Sequence, residues 1–188
     1  MSVVLSYTDN QIAVIASDGR VVDQRGNIVS ENCNKTMKLN NQVIVGFAGN
    51  HGVCENIINL LTQPNKQPIL QTLYVDDIVP VLSRLLNTIP QNELAGFLVS
   101  GIARNGKICT STVINHQSST IEFPTKESPI AFGLYPQMKN QEDILKLYLK
   151  QDYPNYEKAI RKTILYCSKN SKTVNQNIYF EHVLLKSV

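Results

Sequence analysis

Ser2-Val3-Val4-Leu5-Ser6-Tyr7, then Thr8-Asp9-Asn10, then Ile12-Ala13-Val14-Ile15-Ala16-Ser17-Asp18-Gly19 is the stretch on which the fold turns. Its two arms, 3–7 and 11–17, are apolar and β-branched, and the polar residues between them suit a short hairpin loop. Removal of Met1, the usual outcome ahead of a residue as small as serine, would leave Ser2 with a hydroxyl and a free α-amine. Such a residue can be its own nucleophile and base, because the amine can take the hydroxyl proton. A retained Met1 blocks the amine and with it the chemistry. Asp18 ends the second arm, so a tight hairpin can bring it beside the start of the first.

Working outward, the pattern alternates between strands and helices. A polar excursion with a turn at Arg25-Gly26-Asn27 follows Asp18-Gly19. A second hairpin is expected from strands at 35–39 and 42–48, turning at Asn40-Asn41. Val43-Ile44-Val45-Gly46-Phe47-Ala48 is continuously apolar, as suits a strand covered on both faces. Apolar spacing predicts helices at about 52–61 and 76–87, with Pro80 tolerable only near the first turn. Strands at 96–102, 106–115, 119–123 and 130–133 come next, then helices at about 141–150 and 156–168, then a strand at 177–185. Two sheets packed face to face, each covered by a helix pair, accommodate this order. The expected class is α+β, a four-layer αββα sandwich of antiparallel sheets in one domain over 1–188.

Composition narrows the function classes. The chain has 188 residues, 43% hydrophobic and 18% charged, with a net charge of +3. This is a globular mixture, and the scattered basic residues give nucleic-acid binding little support. Cys33, Cys54, Cys109 and Cys167 show no paired spacing with the three histidines, which disfavours zinc and a disulfide scaffold. No signal segment or membrane-length apolar run is evident, so a soluble cytoplasmic protein is expected.

Ser2 has a plausible set of helpers. Lys35, at the start of the second hairpin, could lower the pKa of the α-amine, with Asp18 holding the ammonium in place. Gly49 leaves an apolar strand for a helix start, where a backbone N–H could meet an oxyanion. Each residue also has a duller reading: a common second residue, a strand-ending turn, a surface lysine, a backbone accommodation. Only their joint placement points to chemistry. Cys33 or Cys54 with His51 would make a Cys–His hydrolase site, although nothing in the spacing requires one.

Taken together, Ser2 and its strand, Ile15-Ala16-Ser17-Asp18-Gly19-Arg20, Asn34-Lys35 and Val45-Gly46-Phe47-Ala48-Gly49 resemble the proteasome β-subunit and its bacterial two-component protease relative. These are N-terminal nucleophile hydrolases. The resemblance is carried by residues 2–61, and the later element order is similar. It implies Ser2 as nucleophile, Asp18 and Lys35 as its supporting pair, Gly49 as oxyanion donor and a structural Arg20. It also implies a peptide or amide substrate, a homo-oligomeric ring, an ATP-dependent unfoldase as partner, and no metal or organic cofactor. Three features depart from the pattern. The nucleophile is serine rather than threonine, Gly133-Leu134-Tyr135 stands where active members have Gly-Ser-Gly, and the late Asp-x-x-Ser-Gly segment is absent near Thr173-Val174-Asn175. These departures keep open a second reading, a non-catalytic scaffold or assembly subunit.

Overall fold

The computed structural model describes residues 2–125, 127–134 and 141–185. Strand β1 (Val4–Thr8) and strand β2 (Ile12–Asp18) form the first hairpin, paired from Val4 opposite Ser17 to Thr8 opposite Ala13. Asp9 builds the turn, its Oδ1 accepting from the Gln11 and Ile12 amides. The excursion that follows holds a small two-stranded sheet, β3 (Val21–Val22) with β4 (Ile28–Ser30), around the Gly26 turn. Sequence patterning placed that turn but not the strands, which are too short to show a period.

Strands β5 (Thr36–Lys38) and β6 (Val43–Gly49) make the second hairpin. Asn40 secures it: its Oδ1 accepts from the Gln42 and Val43 amides, and its Nδ2 donates to the carbonyls of Leu70 and Leu73. Helix α1 (His51–Leu61) follows, then a 3₁₀ turn (Pro64–Lys66), the short helix α2 (Gln67–Leu70) and helix α3 (Val75–Leu86). The 3₁₀ turn and α2 were not legible in the polar segment that forms them. Pro80 is the sixth residue of α3 rather than part of its first turn, a correction to the expectation. An interior proline costs about 3 kcal/mol. Val75, Ile78, Leu82 and Leu86 are each 0% exposed on that helix, and burial worth about 1.5–3 kcal/mol for each outweighs it.

The remaining elements are β7 (Ala95–Ile102), β8 (Ile108–Ile114), β9 (Ile121–Glu122), β10 (Ile130–Leu134), α4 (Gln141–Asp152), α5 (Tyr156–Asn170) and β11 (Ile178–Leu184). One sheet runs β10-β1-β2-β11 and the other β5-β6-β7-β8-β9, each with antiparallel neighbours. Three apolar clusters define four layers. Leu145, Ile160 and Ile164 of α4 and α5 pack on Val3, Leu5 and Val14, while Ile57, Ile78 and Leu82 of α1 and α3 pack on Val45, Phe97 and Val99. Between the sheets lie Val4, Ile15, Ile44, Leu98 and Leu134. The fold is thus the αββα sandwich. Among the described residues, no helix is long and apolar enough to cross a membrane.

Candidate active site around the Asp18–Lys35 pair

Hairpin geometry brings the end of β2 back to the start of β1. The Asp18 amide donates to the Val3 carbonyl at 3.1 Å, and the Val3 amide donates to Asp18 Oδ1 at 2.9 Å. The residue after Ser2 is therefore held at both its polar backbone atoms by Asp18. Ser2 itself is 8% exposed. Met1 lies outside the described residues, and while it is attached the Ser2 nitrogen is an amide with no basic lone pair.

Lys35 immediately precedes β5 and is 1% exposed. Its Nζ donates to Asp18 Oδ1 at 2.9 Å, to the Asp18 carbonyl at 3.0 Å and to the Arg20 carbonyl at 2.7 Å. Three acceptors require three protons, so the geometry is that of an ammonium. Burial pulls the Lys35 pKa down from its ordinary value, and the charge of Asp18 and its hydrogen bond oppose this. With all three protons engaged, Lys35 acts on its surroundings as a fixed positive charge.

Asp18, 0% exposed, is as fully satisfied. Oδ1 accepts from Val3 and Lys35, and Oδ2 accepts from the Arg20 amide at 2.9 Å and the Asn175 amide at 3.4 Å. Desolvating two ions costs several kcal/mol each, and apolar residues of similar volume are often as stable. A buried pair held this completely, against that cost, is a functional candidate on physical grounds.

Asn175 is the residue sequence reading missed. Its Oδ1 accepts from the Gly19 amide at 2.9 Å, and its Nδ2 donates to the Glu31 carbonyl at 2.7 Å and to Glu31 Oε2 at 2.6 Å. Arg20 closes the bracket through Glu31 Oε1 at 2.9 Å and the Lys172 carbonyl at 2.5 Å. The loop after α5 thereby clamps the Asp18-Gly19 turn from 156 residues away. A polar hollow of about 590 Å³, lined in part by Arg20, Lys169, Lys172 and Asn175, borders this bracket.

Gly49 is connected to the pair through β6. The Phe47 amide donates to the Lys35 carbonyl at 3.0 Å, and Gly49 lies two residues further on. Its φ is +107°, and a Cβ there would sit 2.2 Å from the Leu94 carbonyl oxygen, so only glycine fits. Asn50 caps α1, its Oδ1 accepting from the Val53 amide. A cavity of about 130 Å³ adjoins Gly49, with Gly133 and Leu134 across from it. Of the segment Gly133-Leu134-Tyr135, Tyr135 lies outside the described residues. The space over Gly133 is taken by Gln141, whose Nε2 would be 2.6 Å from a Cβ at that position.

Cys33 and His51 meet near this site, while Cys54 is buried against the Ala48 carbonyl. The structure therefore brings Asp18 and Lys35 into one hydrogen-bonded corner with Val3, the residue after Ser2, and Gly49 follows two residues beyond the Phe47 amide that donates to the Lys35 carbonyl.

Residues 2–86 match the family model of proteasome subunits. No curated protein sequence matches the chain. Among solved structures, eukaryotic HslV from Trypanosoma brucei is similar with a TM-score of 0.69, covering 97% of this chain and 99% of that one at 15% identity. The chain is proteasome-like in its first half by sequence and in its whole fold by structure.

Proposed function

We propose that this proteasome-like chain is an N-terminal-serine peptidase or amidohydrolase that acts once Met1 is removed. The observation that carries this reading is Asp18 Oδ1, which accepts from Val3, the residue after Ser2, and from Lys35 Nζ, both at 2.9 Å. One oxygen thus ties the nucleophile's segment to the buried cation. Ser2 Oγ attacks the amide carbonyl while the α-amine takes its proton. The Lys35 charge lowers the pKa of that amine, which keeps it unprotonated and basic, and Asp18 fixes Lys35. The Gly49 N–H meets the developing oxyanion. The amine returns the proton to the leaving nitrogen, and water then hydrolyses the ester at Ser2. As the resemblance to proteasome-type proteases implies, the subunits assemble into a cytoplasmic homo-oligomeric ring, to which an ATP-dependent unfoldase supplies peptide.

The departures at Gly133-Leu134-Tyr135 and Asn175 favour a second reading, a proteasome-like scaffold subunit without peptidase activity. Intact-mass spectrometry of the natively processed protein with a peptidyl epoxyketone separates the two. Loss of Met1 and a single adduct at Ser2, absent in Ser2→Ala, is the expected result. Retained Met1 without an adduct would transfer the chain to the scaffold reading.

A further inference from the structure

Cys33 stands apart from the other cysteines. It is partly exposed, whereas Cys54, Cys109 and Cys167 are each 0% exposed. Its amide donates to the Gly19 carbonyl at 2.9 Å, which fixes its backbone against the Asp18-Gly19 turn. Its Sγ lies 3.8 Å from His51 Nε2 and 3.9 Å from Nδ1, so the sulfur faces the imidazole nearly equidistant from both nitrogens, and a rotation of the ring about Cβ–Cγ is what turns a nitrogen lone pair onto the thiol. His51 is itself placed: it begins α1, its ring lies 5.7 Å from that of Phe47, and Glu55 Oε2, one turn along, is 3.7 Å from Nε2. Thiol, base and carboxylate are thus presented together by the loop before β5 and by α1, and the Ser2 chemistry uses none of them.

We propose that Cys33 is a modification site, a thiol paired with the His51 imidazole and open to small soft electrophiles and low-molecular-weight disulfides. Burial raises the Cys33 pKa, Glu55 and Asp18 add to that, and Lys35 opposes it. The group is therefore a thiol at neutral pH and needs a base to react, which is the part His51 is placed to play. With an alkyl iodide, Sγ forms a bond to carbon, iodide leaves with the C–I electron pair, and the S–H proton passes to the imidazole. Glu55 faces the imidazolium that results. With a small disulfide, a new S–S bond forms as the old one breaks, and the expelled thiolate takes the proton from His51. Neither step depends on removal of Met1 or on Ser2.

The test is iodoacetamide treatment of the native full-length chain, read by peptide mass mapping. Cys33 is expected to be alkylated while Cys54, Cys109 and Cys167 react only after denaturation. His51→Gln should slow Cys33 alkylation at neutral pH by about tenfold or more. That gap should close at alkaline pH, where the thiol ionises without the imidazole, against the charges of Glu55 and Asp18 and aided by that of Lys35. The three buried cysteines report folding in the same maps; if His51→Gln exposes them, His51→Asn replaces it with the same criteria. A Cys33 no more reactive than the buried thiols, or one whose neutral-pH rate ignores the loss of the imidazole, overturns the proposal.

Discussion

Asp18 gives each of its oxygens two donors, and Lys35 gives each of its protons an acceptor. Removing one member strands a buried charge, so Asp18→Ala changes stability as well as any chemistry. A cleaner probe uses the direction of the Lys35 shift. Its folded pKa lies below 10.5 because of burial. Between the folded value and 10.5 the unfolded chain therefore binds the extra proton, and stability rises with pH through that window. Wild type should gain stability relative to Lys35→Met as pH climbs toward 10.5, read from denaturant midpoints at each pH. Parallel curves for the two proteins would contradict the assigned environment. Ser2, Asp18 and Lys35 were singled out in the sequence by their joint placement around two hairpins, and the structure shows the Asp18–Lys35 contact that this placement suggested. Asn175 was not, because its role is a side-chain contact made across the whole fold, and no local period records such a contact.

Among the elements, the long apolar strands and the striped helices were readable because burial imposes a period on them. What escaped was short or exceptional: β3 and β4, the 3₁₀ turn, α2, and the depth of Pro80 within α3. In the first four cases too few residues are buried to mark a face. In the last, the helix is stabilised by its packing and overrides a local penalty. The start of α1 shows the converse, a local device with a local cost. Asn50 accepts from Val53 and also donates to Glu93 Oε2 at 2.7 Å, tying the α1 cap to the approach to β7. Asn50→Ala should lower unfolding stability by about 1 kcal/mol, measured by chemical denaturation. A neutral substitution would mean that the cap contributes nothing to holding the Gly49 end of β6.

At the scale of the molecule, the expected four layers around two antiparallel sheets are present, and the assembly is a proposal with its own readout. A ring requires a solution mass several times the 21.1 kDa of the chain. Multi-angle light scattering should give such a multiple, and a monomer at all accessible concentrations would remove the ring while leaving the fold intact. The contact between the two sheets has a further consequence. At Gly46 a single methyl group would come within 2.6 Å of both Val4 Cγ1 and Ile15 Cγ2. The hairpin carrying Ser2 and Asp18 therefore rests on β6 at a fulcrum one residue from Phe47, whose amide holds the strand of Lys35. Any wedge at that fulcrum would tilt one half of the Asp18–Lys35 corner against the other. The spacing of the two sheets is thus itself a setting of the site, adjustable from a position that touches none of its reacting groups.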